Sequence, residues 1–347
     1  MKEYFKQIDA LRAWAVFTVV FSHIPVIEGD NIKFLSILAS YIPGVPLFFT
    51  ISGFLISLII INNRDNNKTT FLKNFYIRRF LRIFPIYYLT IIVLIIAIPG
   101  YRAWCMYDLL YISNIKIGLL GSFSGIESGH FWSLAVEEQF YLLWPVLMMI
   151  CRKNVLFLIV STFLLGITVA YFDNFSFLMK RTFIPICYLS LGALLAHVYS
   201  KKPEILLKTK KYLPIIFIPF IVMIILQSFN VIPLIKFKEI ISLIIIPLTV
   251  IQFIGGFQNK ILKRILENKL LLYFGKISYG IYVYHVFAIY PALVIKYLFS
   301  LSFLDNPTSM QVFKILLTIV IAGISWKLFE QKINSYKRYF KYSGKNE

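Results

Sequence analysis

Long apolar runs dominate the chain, and polar residues return between them at fairly regular intervals. A helix needs about 20 mainly apolar residues to cross the bilayer hydrocarbon, within a range of about 17–25. Ten runs reach that length: Ala10–Ile27, Tyr41–Ile61, Ile83–Pro99, Phe131–Ile150, Val155–Tyr171, Phe183–Tyr199, Tyr212–Phe229, Ile240–Phe257, Leu270–Phe299 and Val312–Phe329. The pattern predicts an all-α polytopic membrane protein of about ten spans, forming a single integral-membrane domain over residues 1–347. Pro214 and Pro219 predict a kink or a later start for the seventh run. Leu270–Phe299 is too long for one straight span, so its first turns are expected at the interface. The longest stretch between runs is Gly100–His130, and none reads as a soluble domain. No internal repeat is visible, which gives the inverted-repeat logic of transporters no support.

Composition sharpens this picture. Of 347 residues, 59% are hydrophobic and 15% charged, against about 25% charged in an ordinary soluble domain. That leaves too little polar surface for a soluble globule, and a mean hydropathy of +0.76 excludes disorder. The net charge of +20 taken alone would point to nucleic acid. Its distribution points elsewhere. With both termini in the cytoplasm, 27 of the 36 Lys and Arg residues fall on the inner side, a threefold positive-inside bias that requires an even number of spans. Cations that alternate between loops leave membrane lipids, not nucleic acid, as the partner. The first run is not a cleaved signal: it contains Arg12 and His23, and no small-x-small site follows. Cys105, Cys151 and Cys187 are scattered and odd in number, so neither a disulfide framework nor a metal site is expected.

Ionisable residues within spans are costly and point to function. Arg12 and His23 are eleven residues apart, which returns them to nearly one helical face about 16 Å apart along the axis. A snorkelling arginine with an interfacial histidine is the plain alternative. His130, Ser133, Glu137, Tyr141 and Trp144 follow spacings of 3, 4, 4 and 3, one helical stripe; Glu138 points about 100° away from it, toward a neighbouring helix or the lumen. Ser278, Tyr282 and His285 share a face in the ninth run, where an aromatic belt is the competing reading. Arg78, Arg79 and Arg82 precede the third run. They read as a positive-inside cluster, or as an anion site in which Arg79 and Arg82 present two forks to one phosphate. His197 reads as interfacial beside Lys201 and Lys202.

Taken together, Asp9-x-x-Arg12 with His23 eleven residues beyond, Pro46-Leu-Phe-Phe-Thr-Ile-Ser52-Gly53, Arg79-x-x-Arg82, Phe131-Trp-Ser-Leu-Ala-Val-Glu137-Glu-Gln-Phe-Tyr141 and Ser278-Tyr-Gly-Ile-Tyr282-x-x-His285 resemble the integral-membrane acyltransferase family three, which includes O-acetylases of bacterial surface polysaccharides. The motifs cover the first four runs and the ninth. The resemblance implies a multi-pass enzyme of the bacterial inner (cytoplasmic) membrane. It would move an acyl group, usually acetyl, from cytoplasmic acetyl-CoA or another acyl-CoA to a hydroxyl on the outer side. The acceptor would be a polysaccharide such as O-antigen or exopolysaccharide, or a lipid-linked oligosaccharide. It ties the Arg12/His23 pair to activity and the Arg79/Arg82 pair, with Arg78 beside it, to acyl-CoA. Some members carry an extra C-terminal esterase-like domain; the short basic tail here is expected to mark the stand-alone form. A hydroxyl attacking a thioester needs a base and an oxyanion donor. His23 is the candidate base and Glu137 its orienter or the acceptor's. His285, Tyr282 or Ser133 are candidate oxyanion donors, with Asp9, Ser52, Tyr141 and Ser278 in support. A polysaccharide flippase or polymerase and a non-enzymatic transporter or sensor are the competing classes, and peptidoglycan, a secreted oligosaccharide or a small molecule such as a macrolide the competing acceptors.

Overall fold

The structure, a computed structural model, describes residues 5–23, 33–63, 67–123, 128–171, 177–233, 238–254 and 260–342. Its regular elements are all helical. In chain order these are α1 (Lys6–Ser22), α2 (Lys33–Tyr41), α3 (Gly44–Asn62), α4 (Lys68–Ala97), α5 (Cys105–Leu109), α6 (Ser113–Leu120), α7 (Trp132–Ile150) and α8 (Val155–Tyr171). They continue with α9 (Phe177–Lys201), α10 (Pro203–Ser228), α11 (Lys238–Phe253), α12 (Lys260–Leu266), α13 (Lys269–Tyr284), α14 (Ile289–Leu298), α15 (Pro307–Ser325) and α16 (Gln331–Ser335). A π-helical turn, Trp326–Glu330, joins the last two.

Each of the ten apolar runs coincides with a helix, although residues 24–27 and 255–257 of two runs lie outside the described residues. Among the described residues, six helical stretches are long and apolar enough to cross a membrane, or seven if the bent pair α13–α14 counts as one. The others are short or polar: α1 has 17 residues including Lys6, Asp9 and Arg12, α11 has 16, and α7 carries Glu137, Glu138 and Gln139. The chain is an all-α polytopic membrane protein.

Three details depart from the hydropathy reading. The 30-residue helix α4 starts well before its apolar run, where the Asn67 side chain caps it by accepting from the Thr70 amide at 3.2 Å. Arg78, Arg79 and Arg82 therefore lie on the helix itself. α10 does not start late; it begins at Pro203, where a missing N–H is harmless, and runs through Pro214 and Pro219. The excess length of Leu270–Phe299 is taken up by an 80° bend between α13 and α14. Pro291 helps explain it, since an uninterrupted helix would lose the bond to the Phe287 carbonyl and meet the proline ring there.

Two compact units divide the chain: Met1–Ile51 with Val198–Leu317, and Ser52–His197 with Thr318–Glu347. In the first unit, α1 lies along α13. Gln7 donates to Glu267 at 2.6 Å near one end, and the His23 and His285 rings meet at 4.8 Å at the other, so the two helices run parallel. The approach is close because position 275 is glycine; a Cβ there would overlap the Asp9 carbonyl. Tyr41 ties α2 to α10 and α11, with Gln227 donating to its hydroxyl at 3.1 Å and Ser242 to its carbonyl at 2.7 Å.

In the second unit, α3 and α7 run parallel and are stitched by side chains. Trp144 donates to the Ser57 hydroxyl at 2.8 Å, and Glu137 and Ser52 pair further up the same seam. Gly53 lets α3 close on α9, because a Cβ at 53 would fall on the Leu189 carbonyl. Residues 99–123 and 128–131 fold over buried polar groups. Fully buried Asp108 accepts from the Tyr101 hydroxyl at 2.8 Å and from the Ser128 hydroxyl. Buried Asn114 exchanges amide bonds with Gln139, which also donates to the Tyr111 carbonyl at 2.8 Å.

Candidate active site

The polar residues singled out in the spans gather in two places, one in each unit. In the first unit, Asp9 and Arg12 form an ion pair of 3.1 Å one turn apart, both largely buried. This pairing keeps the guanidinium neutralised within the apolar helix. His23 caps the far end of α1 and is exposed. Its Nδ1 lies 2.9 Å from the Val19 carbonyl. A carbonyl only accepts, so Nδ1 carries a hydrogen, and the neutral ring keeps its lone pair on Nε2. His285 is buried and repeats the arrangement, with Nδ1 2.6 Å from the Tyr282 carbonyl. The two imidazoles meet edge to face, at an interplanar angle of 74°. Tyr282 stands 5.6 Å from the His285 ring and 6.2 Å from Phe48. Ser278 instead donates to the Gly275 carbonyl of its own helix at 2.9 Å.

In the second unit, the stripe on α7 forms as its spacing predicts. The Tyr141 hydroxyl, with one hydrogen to give, donates to Glu137 one turn before it and lies 3.0 Å from the Ser52 hydroxyl. Ser52 in turn donates to the same Glu137 oxygen. Ser52 and Glu137 are half-buried, while Tyr141 is buried. Above Tyr141 lies the Arg79 guanidinium, 5.5 Å from the ring centre and 5.6 Å from that of Phe75. Arg79 also brings its charge into range of Glu138. Ser133 donates to the His130 carbonyl at 3.3 Å.

The three arginines of α4 have different neighbours. Arg78 donates to the carbonyls of Lys337 at 2.7 Å and Phe340 at 3.1 Å, and its guanidinium stacks 4.7 Å above Tyr342. It anchors the C-terminal segment on the helix. Arg79 sits against Tyr141, and Arg82 brings its charge into range of Glu330, whose carboxyl accepts from Ser325 at 3.3 Å. Residues i and i+3 share a face, yet these two guanidiniums serve different carboxylate neighbourhoods.

Sequence reasoning missed Asp108, Asn114 and Gln139. Each is a polar residue in or beside an apolar stretch, a visible signal, but their partners lie too far along the chain for spacing to show. Among the described residues no three His, Cys, Asp or Glu side chains gather to hold a metal.

The family model described as "Acyltransferase domain" matches residues 5–327. The peptidoglycan O-acetyltransferase OatA of Listeria monocytogenes is 34% identical over 167 residues, covering 44% of this chain and 25% of that protein. The O-acetyltransferase OatA of Staphylococcus aureus is 27% identical over 375 aligned positions, covering 95% of this chain and 57% of that protein. The chain thus spans between a quarter and a little over half the length of these curated relatives. No solved structure matches.

Proposed function

The chain belongs to the acyltransferase family, and from that membership we propose that it is a membrane O-acetyltransferase moving an acetyl group from acetyl-CoA to a hydroxyl of a cell-envelope glycan. The observation that carries this reading is the family match over residues 5–327, a range that contains every candidate site residue. The sequence pointed to a surface polysaccharide such as O-antigen or exopolysaccharide as acceptor. The name of the Listeria relative moves peptidoglycan to the front. The proposed setting is the bacterial cytoplasmic membrane, with acyl-CoA on the inner side and the glycan outside.

Within this reading the first unit supplies the base. The Nδ1 bond to Val19 fixes the tautomer of His23, so Nε2 can take a hydroxyl proton without a ring flip. His285 stacks edge-on and orients that ring. Asp9 and Arg12 position α1 through their ion pair. In the second unit, Arg79 and Arg82 are the proposed contacts for CoA phosphates. Arg78 is set apart from that pair because its Nη1 already serves two backbone carbonyls.

Mass spectrometry of cell-wall glycan and other surface polysaccharide, from cells with and without the intact gene, tests the reading. Loss of acetyl ester from one glycan on deletion is expected, and it identifies the acceptor. Unchanged acylation of every envelope glycan refutes the proposal.

A further inference from the structure

We propose that Ser52 is the acyl-accepting nucleophile of a two-step transfer, with Glu137 as its base. This rests on the acyltransferase reading above and assigns that reaction a covalent intermediate. A serine or threonine inside an apolar helix ordinarily donates to a carbonyl of its own preceding turn. Thr50, Thr90, Thr162, Ser190, Thr249 and Ser278 all do so. Ser52 does not. Its hydroxyl hydrogen goes to the Glu137 carboxylate, across from α3 to α7.

A serine hydroxyl is a weak nucleophile until a base takes its proton, and a carboxylate already holding that hydrogen is placed to do so. Tyr141 completes the arrangement: its hydroxyl donates to the same Glu137 oxygen and stands 3.0 Å from the Ser52 oxygen, so the three groups form one cluster. Arg79 over the Tyr141 ring places a positive charge beside this cluster, on the side where the donor's phosphates would approach. Half-burial of Ser52 and Glu137 leaves them reachable, whereas Tyr141 is enclosed. Gly53 and Leu189 hold the backbone of α3 tightly at the nucleophile's neighbour.

The first step forms the Ser52 Oγ–acyl bond and breaks the thioester C–S bond. Glu137 receives the serine proton and passes it to the departing CoA thiolate, giving free CoA and an acyl ester. In the second step an acceptor hydroxyl forms the new ester bond and the Oγ–acyl bond breaks. The acceptor loses one proton and Ser52 regains one.

Rapid quenching of the purified full-length protein with radiolabelled acetyl-CoA and no acceptor, followed by peptide mass spectrometry, tests this. One acetyl ester on Ser52 is expected, lost in Ser52→Ala and formed at least about a hundredfold more slowly in Glu137→Gln. Ser52→Ala leaves the Tyr141–Glu137 bond in place, so the fold is not at stake. As an independent check, Ser52→Cys is expected to carry the acetyl as a thioester, cleaved by neutral hydroxylamine. Wild-type protein that acetylates glycan without a Ser52 ester, or Ser52→Ala that keeps a tenth of the transfer rate, overturns the nucleophile and leaves the acetyltransferase reading intact. Wild-type protein that acetylates no glycan removes both.

Discussion

Replacing Asp108 by asparagine perturbs the buried acid around which residues 99–123 and 128–131 fold. The carboxyl is fully enclosed, and burial raises its pKa from 3.8 to about 6. Hydroxyl donors at Ser128 and Tyr101, with Ser113 and Trp104 nearby, offset only part of that shift. An acid whose folded pKa is raised holds its proton more tightly when folded than when unfolded. Its contribution is therefore fully favourable below about pH 4, declines between about pH 4 and about pH 6, and is flat above that. Two pKa units correspond to roughly 3 kcal/mol, so above about pH 6 the buried charge holds stability down by about that amount. Tyr101 and Ser128 both donate to the same carboxyl oxygen, Oδ2. An asparagine amide oxygen can accept both bonds while its nitrogen takes the other position. The variant is expected to melt above wild type at about pH 7.5, with the gap closing toward about pH 4.5. Thermal unfolding of detergent-purified protein across that range measures the gap, and hydrogen exchange over residues 99–123 localises it. A gap that does not change with pH, or a variant less stable at about pH 7.5, refutes the reasoning.

Further outcomes follow from the same geometry. His23→Ala is expected to abolish acetyl transfer while the protein still accumulates in the membrane; normal glycan modification by that variant would sink the base assignment. Arg79→Ala or Arg82→Ala is expected to weaken acetyl-CoA binding more than glycan binding, read by calorimetry on purified variants, whereas unchanged CoA affinity would demote both to topology and packing. Gly53→Ala forces a methyl onto the Leu189 carbonyl and is expected to destabilise by about 3 kcal/mol or more, seen as a lowered melting temperature; a variant that melts like wild type contradicts the close α3–α9 approach.

The helices and the chemistry were not equally legible in the sequence. Each apolar run fell on helix because burial in lipid leaves a long, nearly unbroken signature, while short helices such as α2, α5, α6 and α12 left none. The Glu137–Tyr141 contact was legible because spacing by four fixes a shared face, whatever the tertiary structure. Ser52 stood out as a motif position, but nothing local shows that its hydroxyl crosses to another helix 85 residues away. Periodicity assigns a face, not the partner opposite it. The arginines show the same limit. Their cluster was plain, while their separate neighbours depend on where the C-terminal segment returns. Asp108 escaped because a lone acid between apolar runs reads as a solvated loop residue until the fold closes over it.

Arg78 grips the C-terminal segment through carbonyl oxygens at 337 and 340, groups that every residue type carries. Recognition on that side is blind to side-chain identity, so those positions can drift without loosening the clamp. The burden of specificity falls on Arg78, whose planar fork a lysine does not reproduce, and on the aromatic contact between Phe71 and Tyr342. A saturation-mutagenesis map should therefore be lopsided here, intolerant at 78 and permissive at 340, and an alignment of tails would underestimate how firmly they are held.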